Sequence, residues 1–198
     1  MSTIKTVTAP TTEPVSLAEA RLHLKVDTDD DNALISSLIT ASRETAEVFT
    51  GRALATQVLE YILDGFPTEA DTINIPRPPL EELTSIKYRN WQGQEVEWDG
   101  QNYVVDGESM PARVTLAYGK YFPDFTPYPV SSVRIRFTAG YKSGGPDSLK
   151  MPEQINQALK LLIGHFYENR ESVVVGTVAN KVPFSVEALL YPYKISWW

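Results

Sequence analysis

The chain has 198 residues, of which 42% are hydrophobic and 11% aromatic, and its formal net charge is −7. The hydrophobic content supports a folded core. The negative net charge argues against a nucleic-acid-binding protein, because such a protein needs a basic surface. The absence of cysteine excludes disulfides, thiolate nucleophiles and cysteine-based metal sites. No stretch resembles a signal peptide or a membrane span, so we expect a protein made in the cytoplasm with no membrane partner.

Two helices are predicted near the N-terminus. After a leader rich in threonine and proline, residues 16–19 read Ser-Leu-Ala-Glu, a capping-box pattern that predicts a helix to about Lys25. A second helix is predicted from about Asp30 to Thr50, with Gly51 as its C-terminal cap. The acidic run before it lacks the glycine and the final glutamate of a calcium loop, so we expect its carboxylates to act as N-cap and dipole partners of the helix.

The second helix has two different faces. One face carries an apolar stripe typical of a helix that packs on a core. The other face is small and hydroxylated, and it is either solvated or packed against a neighbouring subunit. Its residues are Ser36, Ser37, Thr40, Ser42 and Thr45.

The middle of the chain changes to a period of two, which indicates short strands. The predicted strands cover residues 58–63, 73–75, 83–89, 95–98, 103–105, 113–117 and 133–137. Glycine and proline turns separate them, which favours a compact antiparallel β-sheet unit. The aromatic loop at 119–129 either caps the open end of this β-core or forms a contact patch.

The stretch from Met151 to Arg170 predicts the central core helix, because its apolar residues recur at three- and four-residue steps. Leu161, His165 and Asn169 lie outside this apolar stripe, so we expect them to contact another neighbour or water instead of the core.

Beyond that helix, residues 173–178 are apolar and β-prone, and a short helix is predicted at 182–190. The aromatic end of the chain either folds back on its own core or docks on a partner. Its aromatic residues are Tyr191, Tyr193, Trp197 and Trp198.

No catalytic, cofactor or metal site is predicted. The two histidines, His23 and His165, are far apart in sequence, and we interpret His23 as a surface or core-edge residue. Four carboxylates remain as a conceivable glycosidase pair, but acidic residues on solvated strand faces are far commoner. They are Glu60, Asp64, Glu95 and Glu97.

The order of elements predicts an α+β fold, a helical bundle built from both chain ends with an inserted antiparallel β-sheet unit. We expect one domain to comprise residues 1–52 and 142–198, and an inserted β domain to comprise residues 53–141.

The order and spacing of several segments are similar to the head–tail connector (neck adaptor) proteins of long-tailed bacteriophages and gene transfer agents. The resemblance covers about residues 14–194, while the terminal KISWW lies outside the pattern. The segments are SLAEARLHLKVD, PRPPLEELTSIKYRNWQGQ, YVVDGESMPARVTLAYGKYFP, VRIRFTAGY, MPEQINQALKLLIGHFYENRE and VEALLYPYK.

This resemblance implies a non-enzymatic protein of the virion neck, assembled in the host cytoplasm. It implies a homo-oligomeric ring, usually of twelve copies, that sits beneath the portal protein, extends the DNA channel and meets the next neck or tail-completion protein. The helical domain would form the ring, and double-stranded DNA would pass through without specific binding, since phosphate contacts would slow its passage.

Two sets of contact residues follow as hypotheses. Residues off the core stripe are expected at a subunit boundary: Leu161, His165, Asn169 and Arg170. Aromatic residues of the C-terminal segment are expected to dock on a partner: Tyr191, Tyr193, Trp197 and Trp198. Two alternative functions stay open, a glycan- or host-surface-binding module of a virion and a small hydrolase.

Overall fold

The computed structural model describes residues 2–142, 149–169 and 183–195. Within these ranges the chain forms four α-helices and eight β-strands. The helices are α1 (Leu17–Leu24), α2 (Asn32–Thr50), α3 (Glu153–Glu168) and α4 (Phe184–Leu190). The strands are β1 (Ser2–Thr8), β2 (Gln57–Leu63), β3 (Thr72–Ile75), β4 (Leu80–Arg89), β5 (Glu95–Glu97), β6 (Tyr103–Asp106), β7 (Ala112–Leu116) and β8 (Val133–Ala139).

The strands form two antiparallel sheets. Five strands pair in the order β1-β2-β8-β4-β5, and three pair in the order β3-β7-β6. Strand β8 is central to the larger sheet, where Phe137 lies opposite Leu59 on β2 and Leu83 on β4. Its apolar residues are fully buried while Arg134 and Arg136 point to the other face, which confirms the predicted alternation.

The inner faces of the two sheets share one hydrophobic cluster, and aromatic side chains cover part of it. Phe122 stacks on Phe66 with ring centroids 5.0 Å apart and lies 5.6 Å from Trp98. Phe125 lies 4.6 Å from Tyr88. The capping interpretation of the aromatic loop is therefore confirmed for its two phenylalanines.

A second cluster lies among the helices, and α3 is at its centre. This helix contacts α1, α2 and α4, and its fully buried residues all belong to the predicted stripe. Each large side chain buried in this way contributes roughly 1.5–3 kcal/mol before the entropy of ordering is subtracted. The buried residues of α3 are Ile155, Ala158, Leu159, Leu162 and Ile163.

The ends of the first two helices follow local sequence signals, with one exception. The Ser16 hydroxyl accepts from the Glu19 backbone N–H, and the Glu19 carboxylate accepts from the Ser16 N–H at 2.8 Å. Gly51 ends α2 with φ +72°. Asp31 of the acidic run occupies the N-cap position of α2, but its carboxylate makes no capping hydrogen bond and accepts from the Tyr167 hydroxyl instead.

The helical part and the sheets meet at a close backbone contact. Gly140 has φ +135°, and its N–H donates to the Pro79 carbonyl at 3.0 Å. A Cβ at Gly140 would lie 2.3 Å from the carbonyl oxygen of Ala55. Only glycine fits this position, because both the space and the backbone conformation exclude a side chain.

The expected fold class, a helical bundle built from both chain ends with one inserted β-unit, is wrong. The chain begins with a strand, β1, which pairs with β2 from Ser2 opposite Leu63 to Thr8 opposite Val58, and the β-part consists of two sheets. The sequence did not reveal β1 because all seven of its residues are exposed. Backbone pairing with β2 holds this strand, so no alternation of buried apolar residues marks it.

Candidate subunit-contact surfaces

The second face of α3 is partly covered by the chain itself. Leu161 is half-buried against the helical core, and His165 is also half-buried, with its ring 5.9 Å from that of Phe166. Asn169 is exposed at the end of the helix, and its side-chain amide donates to the His165 carbonyl at 2.8 Å. The structure therefore places these three residues along one side of α3. Arg170 lies outside the described residues.

The C-terminal segment folds back on the helical part. The Tyr193 hydroxyl donates to the Gln154 side-chain oxygen at 2.9 Å, and the Ile195 N–H donates to the Thr50 carbonyl at 2.8 Å. Tyr191 differs, because it remains 71% exposed. Trp197 and Trp198, like residues 173–178, lie outside the described residues. Tyr191 is thus the aromatic residue of the described segment that is most accessible to a partner.

A buried arginine joins this segment to the sheets. Arg52 follows α2 and donates to the Tyr193 carbonyl at 2.6 Å and to the Tyr141 hydroxyl at 3.2 Å. Its guanidinium also lies 5.9 Å from the centroid of the Tyr193 ring. Burial is the main reason that the pKa of Tyr141 is raised above the ordinary tyrosine value. Arg52 therefore fixes the C-terminal segment against the junction between the helices and the sheets.

A second charged group lies inside the helical part. The Glu47 carboxylate accepts from the Leu54 N–H at 2.8 Å, from Gln57 Nε2 at 2.9 Å and from Arg43 Nη1 at 3.0 Å. Burial raises the pKa of Glu47, although these donors and nearby arginines oppose the effect. Burial alone lowers the pKa of Arg43, but its hydrogen bond to Glu13 and the neighbouring carboxylates raise it overall. The network joins α2 to the start of the β-part.

Sequence reasoning missed this network. The sequence predicted that only apolar residues of α2 would be buried. In the structure, Arg43 and Glu47 of this helix are buried as well. Their spacing of four residues is a signal for an ion pair, but it does not reveal burial.

The hydroxylated face of α2 does not act as one surface. Ser36, Ser37 and Thr45 donate to backbone carbonyls of their own helix, as serine and threonine commonly do. Thr40 donates to Glu13 at 2.9 Å, and Ser42 is fully buried. Part of this face is therefore used within the chain.

Several large apolar side chains of the helical part are left exposed. Their exposed fractions are 82% for Leu22, 76% for Val48 and 85% for Phe184. Val48 could have been found in the sequence, since it is an apolar residue off the predicted stripe of α2. Exposed apolar groups of this size are typical of contact surfaces when they lie close together.

The candidate catalytic carboxylates have other partners. Glu60 accepts from Arg134 at 2.9 Å and from Arg136 at 3.1 Å, and Glu95 pairs with Lys87 at 3.4 Å. Asp64 accepts from the Ser131 N–H at 2.9 Å, and Glu97 is exposed on β5. His23 lies beside Gly164 of α3.

None of the helices in the described ranges has the length and apolar character needed to span a bilayer. The described part of the chain has the architecture of a two-sheet β-unit joined through a tight glycine contact to four helices.

Comparison with known proteins identifies the family. A family model described as "Phage gp6-like head-tail connector protein" matches residues 14–115, just over half of the chain. The chain belongs to this family of head–tail connectors, and the predicted resemblance is confirmed. Family membership makes it a connector of phage head and tail. A search of curated protein sequences gives no match.

Solved structures show the same fold. The neck of an empty gene transfer agent (GTA) particle, computed with C6 symmetry, contains a chain with 24% identity and a TM-score of 0.76, covering 98% of this chain and 96% of that one. The virion of a native GTA particle gives 24% identity, a TM-score of 0.75 and coverage of 98% and 95%. The neck of the native GTA particle, computed with C12 symmetry, contains a chain with 24% identity and a TM-score of 0.74. The match covers 98% of this chain and 96% of that one.

Proposed function

We propose that copies of this chain form a closed ring, of twelve subunits, between the capsid portal and the next neck or tail-completion protein. The ring extends the DNA channel, and DNA passes through it without specific binding. Family membership and the similar fold of chains in necks computed with C6 and C12 symmetry support this proposal. The ring is assembled in the host cytoplasm and has no catalytic activity.

The observation that carries the ring is the exposure of apolar side chains on the helical part. Leu22, Val48, Phe184 and Tyr191 are each more than two-thirds exposed, which leaves these apolar side chains available to contact another copy. We assign ring formation to the helices within residues 1–52 and 142–198, and the outer β-unit to residues 53–141, which β1 extends by pairing with β2. The boundary residues proposed on α3 are Leu161, His165, Asn169 and Arg170.

The partner-docking residues are proposed at the C-terminal end: Tyr191, Tyr193, Trp197 and Trp198. Among those described, Tyr191 has the exposure that docking requires, while Tyr193 is held by Arg52 and Gln154. Tyr193 therefore contributes by fixing the path of the segment.

The test is assembly onto purified DNA-filled heads that lack this protein, with copy number measured by quantitative mass spectrometry and symmetry by electron microscopy. A Leu161→Ala/His165→Ala variant should reduce assembly strongly while its unfolding midpoint changes little. The matched control is Leu162→Ala, since Leu162 is fully buried and its loss should lower stability directly. Equal losses of assembly and stability in the double variant would reject the boundary, and a wild-type neck with a single copy would reject the ring.

A further inference from the structure

Residues 2–12 form an arm that is separable from the rest of the chain. The arm consists of β1 and of the linker at residues 9–12. All seven residues of β1 are exposed, and neither hydrophobic cluster contains one of them. Among the described residues, no side chain of β1 has a hydrogen-bond or ion-pair partner. The backbone pairing with β2 is therefore what holds the arm in place.

The linker is loosely attached to the body of the protein. Residues 9–12 form no hydrogen bond with any described residue, and three of the four are exposed. Thr11 and Thr12, together with Leu54, border a cavity of about 720 Å³ at the junction between the helices and the sheets. Pro10 restricts its own φ and favours an extended conformation of the residue before it, so the linker suits an extended path.

The chain is fixed again directly after the linker. The Glu13 carboxylate accepts from Arg43 Nε at 2.8 Å and from the Thr40 hydroxyl at 2.9 Å. Val15 is only 1% exposed and belongs to the hydrophobic cluster of the helices. The change from a fixed body to a separable arm therefore takes place within residues 9–12.

Strand β2 provides the site that the arm occupies. It pairs with β8 along one edge and with β1 along the other, where Lys5 lies opposite Glu60 and Thr6 opposite Leu59. Glu60 and Leu59 are 7% and 3% exposed, so this edge lies beside buried positions. Without an arm, the N–H and C=O groups along the edge would be left unpaired, which natural sheets avoid. Each copy therefore requires one arm, whichever chain supplies it.

Exchange of the arm between copies preserves every one of these pairs, because the same residues meet in the same register. Domain swapping of an identical element is a low-cost route to assembly for this reason. We propose that, in the ring, β1 of each copy leaves its own β2 and pairs with β2 of the next copy, from Ser2 opposite Leu63 to Thr8 opposite Val58. This inference rests on the proposed ring, and it gives the ring a strand link that joins each subunit to the next.

The length of the linker limits how far the arm can cross. An extended chain from Thr8 to Glu13 spans about 17 Å, and paired Cα atoms on adjacent strands lie about 5 Å apart. Glu13 of one copy must therefore lie within about 22 Å of Val58 of the next copy. An electron-microscopy map of the neck gives this distance, and a larger value would overturn the proposal.

Engineered disulfides identify which β2 holds the arm, because the chain contains no cysteine. Thr3→Cys/Ile62→Cys and Ile4→Cys/Tyr61→Cys each place two thiols on opposite residues of β1 and β2. The distances between opposite residues of paired strands suit a disulfide. Using two neighbouring pairs keeps the test valid where one of them disturbs folding.

Necks are assembled under reducing conditions and then oxidised. Both β1–β2 variants should run on denaturing gels as a ladder of covalently joined copies, with loss of most of the single-chain band. The same variants oxidised as isolated chains, before assembly, should stay at single-chain mass. The control Val58→Cys/Thr138→Cys joins β2 to β8 within one copy, so it should stay at single-chain mass in both states.

Single-chain disulfides of the β1–β2 variants in assembled necks would overturn the exchange while leaving the ring intact. The absence of any disulfide in both variants, with the control oxidised, would overturn it as well, since β1 would then not pair with β2 in the neck. A wild-type neck that contains a single copy would instead reject the ring itself.

Discussion

Arg52 Nε donates a hydrogen bond of 2.6 Å to the backbone carbonyl of Tyr193, joining positions 141 residues apart in the chain. The same guanidinium reaches the Tyr141 hydroxyl and the Met110 sulfur, both at 3.2 Å. One buried side chain thus connects the end of α2, the β-unit and the C-terminal segment. This contact fixes the position of the C-terminal segment on the helical part of the same chain.

Arg52→Lys should lower the free energy of unfolding by about 1.5–3 kcal/mol, because a lysine cannot reproduce the planar set of donors to Tyr193 and Tyr141. Urea unfolding of the full chain measures this change. Tyr193→Phe is the matched control, since it keeps the carbonyl and loses only the hydroxyl bond to Gln154, and it should cost about 1 kcal/mol or less. Equal losses in the two variants would contradict the role given to Arg52.

Gly140→Ala should prevent folding or cost more than about 3 kcal/mol, because the new Cβ meets the backbone of Ala55 and Thr56 and the φ of +135° is closed to alanine. Thermal unfolding and soluble yield provide the measurement. Gly107→Ala is the control, since a Cβ there has no atom within 4 Å, and it should change stability by no more than about 0.5 kcal/mol. A stable Gly140→Ala protein would disprove the close contact.

Phe122→Ala should destabilise the β-unit by about 2 kcal/mol, since Phe122 is half-buried and contacts both Phe66 and Trp98. The neighbouring Tyr121→Ala should have an effect within about 0.5 kcal/mol, because Tyr121 is 83% exposed. Denaturant unfolding followed by tryptophan fluorescence reports on both. If Tyr121→Ala were the more damaging change, the loop would be a contact patch and not a cap.

Asp106→Asn should make stability less sensitive to acid. The Ser109 hydroxyl, followed by the Arg113 guanidinium, holds the pKa of Asp106 well below the ordinary aspartate value. A depressed pKa in the folded state contributes stability above the unfolded-state pKa, and this contribution is lost as the pH falls through the folded-state value.

The wild-type protein should therefore be more stable than Asp106→Asn at neutral pH, with a difference that shrinks as the pH falls below about 4. Unfolding midpoints measured from pH 7 to pH 2 follow it. A difference that stays constant with pH would show that the charge of Asp106 does not stabilise the fold.

The sequence alone determined most elements of secondary structure, because local signals set them. The capping box at Ser16, the left-handed glycine at position 51 and the three-four spacing of α3 each act within a few residues. The alternation around Phe137 likewise predicted a strand with one buried face. The segment order also indicated the connector family.

Only the tertiary structure decided how these elements combine. Strand β1 forms through backbone pairing with β2, and buried Arg52 is hydrogen-bonded to Tyr193 and Tyr141, which are distant in sequence. Glu60 on β2 is shared by Arg134 and Arg136 because register brings β2 and β8 together, although these two strands are far apart in the chain. Such contacts depend on which segments meet in space, and no local pattern of residues encodes that meeting.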